Sequence, residues 1–116
     1  MVYSVKLVPW KVFVDDVCNA LEAEVGIVVI TLEGIKLEYS FRLGFKASND
    51  EAKYEALLAG LRVVSDLGAK EVKVYLDSRL VVNQVQGSFE AKDPQMMEYL
   101  RLVKQTMDCF LSVKVV

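Results

Sequence analysis

Apolar residues recur along this chain with two different periods, and the switches between them mark out the elements. Lys11-Val-Phe-Val-Asp15 is a short β-branched run ending in acid, which predicts a strand. Val25-Gly-Ile-Val-Val-Ile30 is a nearly continuous apolar run, the pattern of a strand buried on both faces. Glu33-Gly34 predicts a two-residue turn. Beyond it Ile35, Leu37, Tyr39, Phe41 and Leu43 alternate with Lys36, Glu38, Ser40 and Arg42. That period of two predicts a half-exposed strand, paired with its predecessor as an antiparallel hairpin.

The period then lengthens. Ser48 with Glu51 three residues later is a capping-box pattern, and it opens a helix running to about Leu67 with Gly68 at its end. Ala52, Ala56, Ala59 and Gly60 give this helix a small-residue stripe for close packing on a sheet. Glu71 to Leu76 is a strand with Val72, Val74 and Leu76 on one face, and Ser78 to Gln86 is a short helix stopped by Gly87. Asp93-Pro94 pairs an N-cap with proline at the first helical position. Met96, Met97, Tyr99 and Met107 on the helix that follows are assigned to the core, as are Trp10 and Tyr54. Phe110 to Val116 predicts a last strand. The expected order is β-β-β-α-β-α-α-β, an α/β fold. A strand-helix-strand crossover of this length favours parallel pairing. If the fourth strand lies beside the first, Asp15 and Asp77 emerge together at the carboxyl edge, where open α/β sheets bind ligands.

A length of 116 residues suits one domain. Residues 1–9 are expected to be an N-terminal extension and residues 10–116 the folded domain. Hydrophobic residues make up 53% of the chain. Yet the longest apolar stretch, Val25 to Leu32, is far below the ~18 residues of a membrane span. No secretory signal pattern is present, so the expected location is intracellular, in cytoplasm or nucleus, with no membrane partner. Cys18 and Cys109 are far apart and predict free thiols; with no histidine, zinc is disfavoured. Fourteen basic residues against sixteen acidic ones give a net charge of −2, with the cations scattered from Lys6 to Lys114. Strong capture of a nucleic-acid backbone needs clustered cations, so any such affinity is expected to be weak.

Two aspartates at strand ends with Lys53 on the helix between them are the candidate chemistry. Carboxylates at neighbouring strand ends suit a divalent metal, and a lysine beside them argues against a full complement of metals. Three segments, Ala47-Ser-Asn-Asp-Glu-Ala-Lys-Tyr-Glu-Ala-Leu-Leu-Ala-Gly-Leu61, Asp77-Ser-Arg-Leu-Val-Val82 and Gln86-Gly-Ser-Phe-Glu-Ala-Lys-Asp-Pro94, together make the chain resemble a ribonuclease H type 1 domain. The likeness is greatest to the versions in plant retroelement polyproteins and their stand-alone relatives. It covers roughly Trp10 to Val116. It implies a mixed five-stranded sheet with helices packed on it. The implied activity is endonucleolytic cleavage of RNA in RNA–DNA hybrids, with four carboxylates holding two Mg2+ ions, or Mn2+ in their place.

Carried over position by position, the resemblance makes Asp15 the first metal-binding carboxylate and Asp77 the third. It makes Asn49 and Ser78 contacts to nucleic acid. The second carboxylate is a glutamate in a motif of the form Asn-Asn-x-Ala-Glu-Tyr, which here reads Asn49-Asp50-Glu51-Ala52-Lys53-Tyr54. Lys53 therefore stands in a degenerate catalytic position. The fourth lies on a C-terminal helix beyond the last strand, which this sequence lacks. Glu51 and Glu55 lie about 200° around the helix from Lys53, leaving Asp50 as the substitute ligand to consider. Where the family has glycines, Asp16, Glu22 and Glu24 stand here, while Gly26 is kept. The expectation is a ribonuclease H-like nucleic-acid-processing domain with cleavage lost or severely reduced, holding at most one weak Mg2+ between Asp15 and Asp77. The alternatives are a non-catalytic domain that binds nucleic acid or protein, and a decayed retroelement fragment. A sheet face without its final helix also predicts an exposed apolar patch and self-association.

Overall fold

β1 (Trp10–Cys18) is the middle strand of five, and everything else is arranged about it. The computed structural model describes residues 8–18 and 23–116, with only the backbone of Val17 and Cys18; most of the expected N-terminal extension, and Glu22, fall outside. On one side β2 (Ala23–Ile30) pairs antiparallel with β1, and β3 (Lys36–Arg42) antiparallel with β2. On the other side β4 (Glu71–Leu76) runs parallel to β1, and β5 (Ser112–Val115) parallel to β4. The sheet order is β3-β2-β1-β4-β5. The helices are α1 (Asn49–Asp66), α2 (Arg79–Gln86) and α3 (Pro94–Met107). Both the order of elements and the parallel crossover from β1 to β4 match the sequence reading.

The helix ends follow the caps. Ser48 Oγ accepts the Glu51 N–H at 3.2 Å, and Asp93 Oδ1 accepts the N–H groups of Gln95 and Met96. α2 stops at Gly87, whose φ of +88° is a left-handed conformation that only glycine adopts freely.

One face of the sheet carries the core. Val12, Val14, Ala23, Val25, Ile27, Val29, Val72 and Val74 are all buried there, together with Tyr54, Leu57, Leu58 and Leu61 of α1. Trp10 packs at the margin of this cluster. The other face is open, because α1 lies on the face of Val12 and Val14 and the other helices pack about α1. On that open face Phe13 is 41% exposed and stacks on Tyr75, with ring centroids 4.7 Å apart. This one-sidedness corrects the expectation for β2: Val28 and Ile30 are only partly buried, so its apolar run is not sandwiched.

Other boundaries shift for local reasons. β1 continues to Cys18 because β2 keeps pairing with it to Ala23. The β2–β3 turn is wider than Glu33-Gly34: the Gly34 N–H reaches Thr31 O at 3.0 Å, and the Ile35 N–H reaches Thr31 Oγ1 at 3.1 Å. Met97 is 54% exposed rather than core, while Met96, Tyr99 and Met107 are partly buried. Cys109 is a free, exposed thiol. Among the described residues no helix is long and apolar enough to cross a membrane.

α1 meets β1 at very close range. A Cβ added to Gly60 would lie 2.8 Å from Val14 Cγ1 and 3.4 Å from Val12 Cγ1. Valine cannot swing its methyl aside cheaply, since χ1 is stiff in β-branched residues. Overpacking of this kind costs about 1–3 kcal/mol, of which alanine's better helix propensity returns up to about 1 kcal/mol. Gly60→Ala is therefore expected to lower stability by about 1–2 kcal/mol in urea unfolding, and Gly60→Val by more.

A buried polar chain ties the three helices together. The Tyr54 hydroxyl donates to Gln84 Oε1 at 2.5 Å, the Tyr54 ring stacks on Tyr99, and the Tyr99 hydroxyl donates to Glu55 at 2.8 Å. Burial, helped by the charge of Asp50, pushes the Tyr54 phenol up to about 12 from an ordinary 10.0. The native state thus holds this proton more tightly than the unfolded state. Its contribution is complete below pH ~10 and fades as the pH rises through ~12, amounting to about 2–3 kcal/mol. Stability should fall steeply above pH ~10, and Tyr54→Phe, although less stable at neutral pH, should show a shallower alkaline decline. Urea unfolding across that range checks both.

Candidate functional site

The parallel register brings the two sequence-picked aspartates side by side. The pairing of β1 with β4 ends at Val14 opposite Leu76, so Asp15 and Asp77 are the next residues on adjacent strands. Both are exposed. Asp77 does close its strand. Asp15 does not: it sits inside β1, which runs three residues further, correcting the picture of an acid where the strand gives out.

Strand alternation then separates neighbours. Val12 and Val14 face α1, so Asp16 falls on the same side, while Asp15 shares the open side with Phe13. The Asp16 side chain is 4% exposed. Its Oδ1 lies 2.7 Å from the Nζ of Lys53, whose side chain is 21% exposed. The Asp16 N–H in turn donates to Asp15 Oδ1 at 2.8 Å. Lys53 thus reaches this acidic edge, and its direct partner is Asp16. The sequence had marked Asp16 only as a replaced glycine. The signal was there: an acid in phase with two core valines needs a buried partner, and a lysine on the packing side of the helix is one.

Burial pulls the Lys53 ammonium toward neutrality. The hydrogen bond to Asp16, then the charges of Asp16, Asp77 and Asp15, outweigh it and hold the lysine above its ordinary range. It is a fixed cation at any physiological pH. Removing one partner of a buried ion pair costs about 3–5 kcal/mol, and the partial exposure of Lys53 puts this pair near the lower end.

The remaining candidates are less engaged. Asp50 acts on Tyr54, and its charge is not among those that raise Lys53. Glu51 and Glu55 turn away toward α3, where they accept from the Gln95 amide and the Tyr99 hydroxyl. Asn49 is exposed as the first residue of α1. The Ser78 hydroxyl caps α2 by accepting the Val81 N–H at 3.2 Å. Beside the aspartates, Asp15, Asp16, Glu24, Val25, Gly26 and Ser40 line a hollow of about 180 Å³. A Cβ on Gly26 would meet nothing within 4 Å, so internal packing does not demand glycine there.

These residues do not fit a two-metal centre. Among the described residues, no three or more Asp, Glu, Cys or His side chains converge in a way that could hold a metal ion. The acid best placed beneath α1, Asp16, is already occupied by an ammonium group. Lysine is a compact point charge with donors only, and it can neither coordinate a water nor share a ligand with a second cation.

Known proteins place the chain. The reverse transcriptase-like family matches residues 14–116. The ribonuclease HI of Halobacterium salinarum is 35% identical over 79 residues, which is 67% of this chain and 39% of that protein; the chain thus spans well under half of that relative's length. The crystal structure of RNase H1 from the same archaeon superposes with a TM-score of 0.86 at 24% identity, covering 93% of this chain and 83% of that one. The LC11-RNase H1, solved with an RNA/DNA hybrid, gives a TM-score of 0.81 at 26% identity, covering 92% and 83%. The chain belongs to the reverse transcriptase-like family, and its five-stranded sheet with three helices has the ribonuclease H fold.

Proposed function

We propose that this ribonuclease H-like nucleic-acid-processing domain engages RNA–DNA hybrid weakly inside the cell, and that its cleavage step is lost or severely reduced. We take residues 10–116 as the functional unit. One observation carries this reading: the Lys53 ammonium lies 2.7 Å from Asp16, with Asp15 and Asp77 close enough to raise its proton affinity. Two-metal cleavage needs cations that activate a water and stabilise the leaving oxygen. Here a cation is present that can do neither. Among the described residues, Asp15 and Asp77 are the carboxylates we assign to Mg2+ or Mn2+, with Asp50 the lesser candidate.

Binding of a hybrid is supported by the LC11 relative, which was solved with one. Exposed Asn49 is the residue we assign to it, and Ser78 is the lesser candidate because its hydroxyl already caps a helix. The exposed carboxylate of Asp15 beside the hollow and the net charge of −2 keep that binding weak.

The test is cleavage of an end-labelled RNA–DNA hybrid with Mg2+ or Mn2+, with Asp77→Asn as control. The wild-type protein is expected to cut at least about a thousandfold more slowly than the Halobacterium enzyme, a loss of about 4 kcal/mol of transition-state stabilisation. Cleavage at a comparable rate that disappears in Asp77→Asn would sink the proposal.

The open sheet face supports self-association as a second property of the same domain. Phe13 and Tyr75 stack there, and a groove of about 370 Å³ runs from Phe13 past Val28 to Glu38 and Ser40. Sedimentation of the wild type should show concentration-dependent dimerisation, and Phe13→Ser should abolish it. A monomer at all concentrations would rule this out.

A further inference from the structure

We infer that Asp16 and Lys53 form a matched exchange in which an ion pair has replaced a metal as the internal counter-charge of this edge, making the fold independent of divalent ions. This deepens the proposed function and rests on it. Three carboxylates, Asp15, Asp16 and Asp77, act together on one ammonium group. Without a cation they would repel each other where two strands run side by side. A metal ordinarily relieves such crowding and then stabilises the native state by mass action. Here the relief is covalently tethered to α1.

The two members need each other. Lys53 alone, above a glycine, would have Asp15 and Asp77 nearby but no acid on its own side of the sheet. Asp16 without Lys53 would be a carboxylate 4% exposed that has lost the ammonium 2.7 Å from its Oδ1. Glutamate at position 53 would set two carboxylates against each other at ion-pair distance. The lysine therefore calls for an acid at position 16, and Lys53 is the cation that this acid holds at 2.7 Å. Asp16 is a positioning residue: it draws the ammonium down onto β1 and away from the open face where Asp15 points. A bound duplex would meet Asp15, while the Asp16–Lys53 pair stays beneath the sheet.

The experiment measures thermal stability and Mn2+ binding for wild type, Lys53→Gln and the double variant Asp16→Gly/Lys53→Glu, with ionic strength matched by NaCl. Wild type should show no rise in Tm with millimolar Mg2+ or Mn2+. Lys53→Gln should melt lower, regain part of the loss when Mg2+ is added, and bind Mn2+ at least about tenfold more tightly than wild type. The double variant should fold and gain the same response. Should Lys53→Gln fail to fold without metal, its recovery with Mg2+ supports the inference and the double variant remains the independent test. The inference is overturned if wild type is stabilised by Mg2+ as strongly as either variant, or if neither variant responds. A metal-indifferent wild type that still cuts hybrid would overturn the proposed function and leave this inference standing. A metal-stabilised wild type that does not cut would do the reverse.

Discussion

The approach of α1 to β1 at Gly60 sets the position of everything at the candidate site. The α1 backbone comes so near β1 at this point that even a methyl group would lie 2.8 Å from Val14. That contact fixes both the distance and the rotation of the helix. Lys53 lies seven residues before Gly60, about 20° short of two full turns, and so shares its face. Asp16 lies two residues after Val14, and so shares the face that Gly60 touches. The Lys53–Asp16 contact follows from the Gly60–Val14 contact by these two periodicities. A bulkier residue at position 60 would lift the helix and part the ion pair without altering either of its members.

The same geometry explains which acids take part. Glu51 and Glu55 flank Lys53 in sequence but stand on the opposite flank of α1, where each is used against α3. The charge of Asp50 acts on Tyr54. No other acid of α1 is among the charges that act on Lys53. The helix therefore presents a single charge to the acidic edge, and that charge is positive. Asp16 answers that charge from outside the helix, 2.7 Å away.

Much of this was legible in the chain. The caps at Ser48 and Asp93, the glycine stops at Gly68 and Gly87, and the strand Glu71–Leu76 are written in local chemistry and were read from it. The juxtaposition of Asp15 with Asp77 followed from the parallel crossover. What was not legible depended on layers. The apolar run of β2 looks the same whether helices cover one face or both, and only the tertiary arrangement decides that Val28 and Ile30 are half in solvent. Met97 is as apolar as the Met96 beside it, yet its side of α3 faces outward. Asp16 was misjudged for a different reason. Taking β1 to end at Asp15 removed the next residue from the alternation that Val12 and Val14 had begun.

That one residue also divides the site in two. Asp15 and Asp16 are consecutive in a strand, so their side chains leave on opposite faces. Asp15 opens to solvent beside Phe13, while Asp16 is sealed under α1 with its ammonium partner. A nucleic-acid backbone arriving at the open face would meet the exposed carboxylate of Asp15 there, with the Lys53 ammonium on the other side of the strand. Its phosphates would be repelled by Asp15 and drawn only weakly by a lysine on the far side of the strand, while Glu24 is paired with Arg42 at 3.7 Å. Catalysis of phosphoryl transfer requires positive charge on the substrate's side of the carboxylates. Here the cation that the aspartates hold, Lys53, lies on the protein's side, and so the pair that steadies the fold leaves the chemistry without its cation.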